Sequence, residues 1–432
     1  MAKRASFGSK IGAILVAAGS AIGLGSIWRF PYMTGENGGG AFLIVYLFSV
    51  LVVGIPVMLA EFAVGTYTRK SPVRAYNQLS PRWKWLGYNS VIVSLLISGF
   101  YYIVAGWSLE YFISSANGVL YSVGDFAQHF AAFTGSWREP IYTVVFVLLT
   151  HAIVIMGVQE GLERISKIVM PILLLMLVVL VIHSATMSGA AEGYQFLFKP
   201  DFSKAFSIKT IVSAIGQAFF SLSIGLGCMI AYSSYFKEGT NLTRTSFSVS
   251  LMTFFVAMLS GMVIFPAVFS VKGLEPTAGP TLLFETMPFI FAEMPAPQLW
   301  SAIFFLLVAL AALTSTISFH EVLTQYLQEN HNVARKHAAR FTTLATVLLT
   351  LLCLRWEWFF GAFDAITADV LMPVGGLLTA VFAGWVFDRK SFREQISNYG
   401  TLPAKLFPLL VFTLKWVAPI LLSVVFVWNL IF

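Results

Sequence analysis

Two adjacent hydroxyl side chains, Thr314 and Ser315, lie within the apolar run 298–327. Ala311 precedes them by three and four residues, so the three residues share one face of a helix. Two hydroxyl oxygens and a backbone carbonyl on one face can provide ligands for a hard cation. The alternative is structural, because hydroxyl side chains in apolar helices commonly bond a carbonyl of their own helix or pack against a neighbour. The pattern indicates a cation site only if another element supplies further oxygens.

Ionisable residues within or beside apolar runs are the next candidates, since a charge there is costly and a functional role is the first hypothesis. Arg29 and Asp364 are expected to pair as a gate. A carboxylate at Glu61 could hold the donors of an opened backbone. For Glu110 and Glu321 we expect a structural ion pair. Hydrogen-bonded packing, and not a proton relay, is expected of His151, His183 and His320.

The stretch 19–31 is the element that could face these residues. Three glycines, at positions 19, 23 and 25, are followed at once by Arg29 and Pro31. Each glycine lowers helix propensity by about 1 kcal/mol. In lipid, an opened backbone persists only where it is buried in protein or lines a wet cavity. The stretch therefore predicts a broken helix at a binding site.

The composition is that of a polytopic membrane protein. Hydrophobic residues make up 58% of the chain and charged residues 11%, against about 25% charged residues in soluble domains; the mean hydropathy is +0.80. The opening MAKRASFGSK is too polar for a cleavable signal peptide. Cys228 and Cys353 cannot build a disulfide framework or a thiolate metal site. No phosphate loop, metal-ligand spacing or nucleophile elbow is found, so the sequence does not predict an enzyme.

Eleven runs are long enough to cross about 30 Å of hydrocarbon. Nineteen Lys and Arg residues fall on the side of the amino terminus and six on the other side. This bias predicts a cytoplasmic amino terminus and, with an odd number of spans, an external carboxyl terminus. It also explains the net charge of +7 without a nucleic-acid partner. Spans 1 to 11 lie near 11–33, 41–67, 87–115, 140–157, 165–185, 209–236, 247–271, 298–327, 340–354, 361–387 and 405–431.

An internal repeat connects two of these spans. The tetrapeptide IGLG occurs at 22–25 in span 1 and again at 224–227 in span 6. Both copies lie in mid-span. Spans 1 and 6 are five spans apart, and because five is odd the two halves of the chain would have inverted topology. Glycine-interrupted segments at matching places in two halves are the best sequence pointer to a transporter site.

Five motifs stand out in the sequence: GSAIGLGSIWRFPY at 19–32, ENGGGAF at 36–42, GQAFFSLSIGLG at 216–227, ALTSTIS at 312–318 and PVGGLL at 373–378. In these motifs the sequence resembles the neurotransmitter:sodium symporter family, as in the bacterial leucine transporter. The resemblance implies an all-α polytopic membrane protein with two inverted five-helix repeats, helices 1 and 6 being unwound. It implies a single transmembrane domain over 1–432, with repeats at 11–185 and 209–387 and an eleventh helix at 405–431.

The resemblance also implies a set of binding residues. Tyr101 and Phe220 would close over the substrate beneath the Arg29–Asp364 gate, and Arg4 with Glu329 would form an inner gate. The second sodium site would comprise Gly19, Ile22, Ala311, Thr314 and Ser315. The substrate pocket would comprise Ser20, Ala21, Leu24, Gly25, Ile97, Tyr101, Phe220, Ser221, Ser223, Leu226, Ser315 and Phe319.

Two further ion sites of the family depart from its pattern here. Ser26 stands where the family has asparagine, and Thr253 where it has asparagine or aspartate, so the shorter hydroxyls should weaken a first sodium site. For chloride, Ala257 stands where a serine or an acid is expected. The first sodium site would comprise Ala21, Ser26, Ser221 and Thr253, and the chloride site Tyr46, Gln217 and Ser221.

The function that these features favour is sodium-driven symport of an apolar amino acid by alternating access. Gly23 supports a carboxylate-bearing substrate, because the family's monoamine carriers place aspartate there. The alternative is a sodium-independent or proton-coupled carrier of another small amphipathic solute, such as an amine. An ion channel or a sensing receptor on the same fold is disfavoured by the paired gates and by the lack of a soluble reporting domain. The expected surroundings are a bacterial inner membrane, with the lipid bilayer and a small molecule as partners and neither nucleic acid nor an obligate protein partner.

Overall fold

A computed structural model describes residues 5–122, 124–205, 207–270 and 283–431. Within these ranges the regular elements are helical, with one isolated bridge between Gly39 and Pro200. The helices of spans 1 to 11 are Lys10–Ala21 with Gly25–Glu36, Gly40–Thr68, Pro81–Ala116, Arg138–Ile155, Val158–Ser184, Ile208–Ser221 with Cys228–Ser233, Leu242–Ser270, Pro297–Asn330, Arg335–Arg355, Glu357–Val386 and Phe407–Ile431. The connections carry the short helices Pro72–Leu79, Phe126–Thr134, Ala190–Phe198, Phe202–Ala205, Thr286–Ala292 and Arg389–Ile396.

Nine of these helices in the described ranges are long and apolar enough to cross a membrane alone. Span 1 is bent by 55° at its break between Ala21 and Gly25. Span 6 consists of two pieces, Ile208–Ser221 and Cys228–Ser233, neither of which is long enough to cross. The all-α membrane fold and the broken spans 1 and 6 are thus confirmed.

The break in span 6 has a backbone conformation that glycine favours. Ser223, Gly225 and Gly227 have φ angles of 52°, 82° and 77°. At Gly225 a side chain would also collide with the carbonyl oxygen of Met372 in span 10. Left-handed backbone and a close neighbour therefore end the helix at this point.

The break in span 1 has a different cause. Its glycines have no positive φ, so they are not needed for left-handed backbone. A Cβ at Gly23 would collide with the hydroxyls of Ser315 and Tyr101. The absence of a side chain here lets spans 3 and 8 approach the opened backbone closely.

The two broken spans lie in the interior of the bundle. The first helix of span 1 contacts spans 5, 7 and 8, and the helix Cys228–Ser233 of span 6 packs against span 2. Spans 3 and 8 pack along each other, and 72% of the apolar window of each is buried, against 33% in spans 5, 9 and 11. Spans 5, 9 and 11 lie at the periphery of the bundle and expose large apolar side chains such as Leu175, Leu348 and Ile420. An apolar surface of this kind is suited to lipid, with the breaks kept away from it.

Candidate functional site

A small pocket lies between the two breaks. Its walls come from spans 1, 3, 6, 8 and 10. It brings together all but two of the residues expected to bind substrate. Those that line it are Ser20, Ala21, Gly25, Ile97, Tyr101, Phe220, Ser223, Leu226, Ser315 and Phe319, together with Gly23 and Met372.

The two expected residues that do not line the pocket, Leu24 and Ser221, form hydrogen bonds beside it. The Leu24 amide donates to the Tyr101 hydroxyl at 3.0 Å. Ser221 accepts from Gln217 Nε2 at 2.8 Å. Leu24 thus holds Tyr101 in place, and Ser221 belongs to a hydrogen-bonded group beside the pocket.

Hydroxyl groups form hydrogen bonds with the backbone at the end of the first helix of span 1. Ser223 Oγ donates to the Ser20 carbonyl at 2.8 Å, and Ser315 Oγ approaches the same oxygen at 3.4 Å. Spans 6 and 8 therefore meet at one carbonyl of the break. An opened backbone in an apolar interior needs such partners.

The rest of the pocket is apolar. The rings of Tyr101 and Phe319 meet edge to face, with centroids 5.3 Å apart. The Arg29 guanidinium carbon lies 4.5 Å from the centroid of Phe220. A ligand would therefore find peptide and hydroxyl groups on one side and aromatic and aliphatic side chains on the other.

The residues of the predicted second sodium site are brought together. Thr314 packs on Gly19, since its Cβ is 3.3 Å from where a Cβ at Gly19 would be. Thr314 Oγ1 donates to the Ala311 carbonyl at 2.9 Å. Ile22 is the residue that ends the first helix of span 1, so its carbonyl lies at the break. The oxygens here, from two helices and a break, are of the kind that a hard cation takes.

The predicted first sodium site is less complete. Ser26 Oγ donates to the Ala21 carbonyl at 3.4 Å, which places two of its members together. Thr253 Oγ1 donates to the Val249 carbonyl of its own helix at 2.9 Å. This is the ordinary structural arrangement of a threonine in an apolar helix.

The predicted chloride residues are buried beside the break in span 1. Gln217 Nε2 donates to the Gly25 carbonyl at 2.7 Å and to Ser221 Oγ at 2.8 Å. Tyr46 is fully buried, with its ring centroid 5.0 Å from that of Phe30. Because an amide nitrogen has two hydrogens, an anion would have to displace one of the two acceptors of Gln217.

Among the ion pairs of the described residues none joins Arg29 to Asp364, so the gate stays a prediction. Arg29 lies over the face of Phe220, where a guanidinium is attracted by the ring. Asp364 is exposed on the helix Glu357–Ala365, a helix that buries none of its residues. Of the other predicted gate, Glu329 Oε2 accepts from the Ser71 amide at 2.8 Å, while Arg4 lies outside the described residues.

The other ionisable residues are placed as expected. Glu61 Oε1 accepts the Gly225 amide of the span 6 break at 2.8 Å, which confirms its expected role. Arg138 pairs with Glu110 at 3.0 Å, and Arg335 pairs with Glu321 at 2.6 Å. The histidines have packed surroundings: Thr343 Oγ1 lies 2.7 Å from His151 Nδ1 and 3.1 Å from His320 Nε2, and the ring of His183 lies 3.8 Å from that of Trp300.

Met372 is the pocket residue that the sequence did not reveal. It lines the pocket from span 10, immediately before the PVGGLL motif. A methionine in an apolar run has no chemical signature, so only the fold could place it.

Comparisons with known proteins agree with this architecture. The sequence pattern of the sodium:neurotransmitter symporter family matches residues 4–123 and 127–432. The Bacillus subtilis protein YhdH, described as an uncharacterized sodium-dependent transporter, is 35% identical over 99% of this chain and 98% of its own. The human sodium- and chloride-dependent GABA transporter 2 is 28% identical over 99% of this chain and 80% of its own.

A solved structure is also similar throughout its length. The crystal structure of MhsT in complex with L-phenylalanine superposes with a TM-score of 0.90 at 36% identity, covering 98% of this chain and 99% of that one. The chain therefore has the fold of this group of transporters as well as its sequence pattern. With the two broken spans and the pocket between them, these matches establish that the chain belongs to the sodium:neurotransmitter symporter family.

Proposed function

We propose that the protein is a sodium-coupled symporter of an apolar amino acid, working by alternating access. The observation that carries the proposal is the pocket between the two breaks, which has peptide groups on one side and Ile97, Phe220, Leu226 and Phe319 on the other. Peptide groups suit the charged amino and carboxylate groups of an amino acid, and the apolar wall suits its side chain. Membership of a family of symporters supports transport over catalysis.

Sodium is proposed to bind at the second site, beside this pocket. Ser315 belongs to both, because it lines the pocket and stands next to Thr314 on span 8. The first helix of span 1 ends at this point, so the negative end of its dipole favours a cation here. Sodium-dependent relatives support the same coupling ion.

An amino acid is favoured over an amine for two reasons. Gly23 provides no carboxylate to hold an ammonium group, and a side chain there would collide with Ser315 and Tyr101. The amino end of the helix Gly25–Glu36 lies at the break, and its positive dipole end favours an anionic group. The similar protein MhsT was crystallised with L-phenylalanine.

Apolar L-amino acids should therefore compete better than their decarboxylated amines. We expect tryptophan to displace a bound amino acid at concentrations at least about tenfold lower than tryptamine, because the amine lacks the group that the helix end attracts. The measurement is competition in sodium-loaded proteoliposomes. Tryptamine binding as well as tryptophan would contradict the amino-acid substrate and support a carrier of amines.

Uptake with each gradient varied alone tests the proposed function as a whole. An inward sodium gradient should drive accumulation in proteoliposomes, whereas a proton or chloride gradient should not be required. Accumulation that follows the proton gradient and ignores sodium would overturn the proposal in favour of a proton-coupled carrier. A chloride requirement would show that the Gln217 group gives up one of its hydrogen bonds to an anion.

The orientation in the membrane is a further proposal. In a bacterial inner membrane, the excess of Lys and Arg on one side supports a cytoplasmic amino terminus and an external carboxyl terminus. The two repeats, 11–185 and 209–387, would then have opposite orientations.

A tag after Phe432 should be accessible from outside intact cells, and a tag before Met1 should become accessible only after lysis. The reason is the odd number of spans combined with the charge bias. Labelling of the two tagged proteins with an impermeant reagent is the measurement. Finding both ends on one side would rule out eleven crossings.

A further inference from the structure

Spans 10 and 11 are in close backbone contact where span 10 ends. A Cβ at Gly384, two residues before the end of span 10, would lie 2.8 Å from the Leu414 carbonyl oxygen and 2.9 Å from the Lys415 Cα. Trp385 Nε1 donates to the Lys415 carbonyl oxygen at 3.1 Å. Lys415 of span 11 is therefore held beside the end of span 10.

The Lys415 side chain lies against two tryptophan rings. Its Nζ is 4.0 Å from the centroid of Trp385 and 5.7 Å from that of Trp416, so cation–π attraction holds the ammonium group there. The two rings meet edge to face at 5.0 Å, and their exposed fractions are 52% and 47%. Trp385 is the penultimate residue of span 10. The three side chains thus lie where that helix leaves the hydrocarbon, the depth at which tryptophan is enriched and to which lysine extends its charge.

Further basic side chains surround this contact. Arg389 Nη2 donates to the Gly384 carbonyl oxygen, so its guanidinium is held at the residue that touches span 11. With Lys390 and Arg393 it lines an open groove of about 570 Å³, which Phe407 of span 11 also lines. A groove of this size is within the range of small-molecule sites.

The positive charges of this junction exceed the negative ones. The segment 388–415 contains two acidic residues, Asp388 and Glu394. Asp388 accepts the Ser391 amide at 2.8 Å as the cap of the helix Arg389–Ile396, and Glu394 lines the groove. The five basic residues of the segment are Arg389, Lys390, Arg393, Lys405 and Lys415. None of the five takes part in the ion pairs of the described residues. An excess of cations at a membrane surface attracts anionic lipids.

We propose that the junction of spans 10 and 11 binds an anionic phospholipid, whose phosphate is held by Arg389 and Lys415. A guanidinium presents paired N–H groups that match phosphate oxygens. The exposed faces of Trp385 and Trp416 suit the first methylene groups of the acyl chains. The inference does not depend on the transported solute, because none of these four residues lines the substrate pocket.

The test measures binding of phosphatidylglycerol to the delipidated protein in detergent by native mass spectrometry, with zwitterionic phosphatidylcholine as the comparison. The wild type should prefer phosphatidylglycerol. A basic residue near the membrane surface is worth about a fivefold factor in affinity for anionic lipid. Arg389→Gln and Lys415→Gln should therefore each weaken phosphatidylglycerol about fivefold, and the double variant about twenty-five-fold, with little change for phosphatidylcholine. Lys415→Arg keeps the charge and should keep the preference.

Arg355→Gln is the matched control. The Arg355 guanidinium carbon lies 5.4 Å from the centroid of Trp356, and Arg355 is the one basic residue in the segment 341–388. It is thus a cation on a tryptophan without basic neighbours, and its loss should leave the affinity for phosphatidylglycerol unchanged. The melting temperature of each variant reports on folding.

Equal affinity of the wild type for the two lipids would overturn the inference, since an ordinary interfacial anchor needs no anionic lipid. A preference that Arg389→Gln and Lys415→Gln leave unchanged, or that Arg355→Gln reduces equally, would also overturn it. Inorganic phosphate, compared with chloride at equal ionic strength, should not displace the lipid. Displacement by phosphate would show a site for a soluble anion instead.

Discussion

Alanine in place of Ser315 or Thr314 is expected to remove most of the sodium stimulation of uptake. Each change deletes one hydroxyl oxygen from the group of ligands formed at the break of span 1. The loss of one hydrogen bond to a charged group costs about 1.5–3 kcal/mol, which corresponds to about a ten- to hundredfold loss of sodium affinity. Thr314→Ala is the cleaner change, because Ser315 also lines the substrate pocket and Thr314 does not. Sodium titrations of uptake provide the measurement.

Thr253→Ala is the matched control for this prediction. Its hydroxyl donates to the Val249 carbonyl within its own helix, so its removal should change sodium dependence little. We also expect a Hill coefficient near one, since one complete set of oxygens predicts one coupled ion, and an ion couples only through its differential affinity for the two states. If Thr253→Ala abolished coupling while Thr314→Ala and Ser315→Ala had no effect, the ion would belong at the first site.

Glu61→Ala is expected to abolish uptake and to lower the melting temperature of the purified protein. Glu61 is buried and accepts the Gly225 amide in the break of span 6. Without it, that amide is left in an apolar interior with no acceptor, at a cost of about 1–3 kcal/mol. Glu61→Gln keeps an oxygen acceptor and should retain part of the stability. Thermal unfolding in detergent and uptake in proteoliposomes measure the two effects.

Glu192→Ala is the control for a lost carboxylate. Glu192 is exposed on the short helix Ala190–Phe198, and its removal should change neither quantity. If the Glu61→Ala variant kept the uptake and the melting temperature of the wild type, the break in span 6 would not depend on this carboxylate.

The positions of the breaks were predictable from sequence, but their causes were not. Glycine in an apolar run marks where a helix is weak, and IGLG occurs at both breaks. At Gly225 the backbone itself is left-handed, whereas at Gly23 the requirement is space for Ser315 and Tyr101. Local sequence does not distinguish these causes, because the second depends on side chains from distant spans.

The same limit applies to the residues around the pocket. Ser315 could be predicted because it belongs to the ALTSTIS motif, which Phe319 directly follows. Met372 has no such signal and lines the pocket only through the packing of span 10 on span 6. The contact of Arg29 with Phe220 was not predictable for a related reason. Two opposite charges near one end of the bundle suggest an ion pair, but the sequence does not show that an aromatic face lies closer to the guanidinium.

The packing of span 10 against the break in span 6 also constrains the order in which the protein is assembled during synthesis. The Gly225 amide donates a hydrogen bond to Glu61 of span 2, which is synthesised earlier. Gly225 also lies against Met372 of span 10, which is synthesised more than a hundred residues later. Until span 10 leaves the ribosome, one side of the opened segment has no protein covering, and lipid cannot satisfy a bare backbone. Span 6 therefore reaches its final shape only late in biogenesis, and a nascent chain truncated before span 10 should be a preferred target for membrane quality-control proteases.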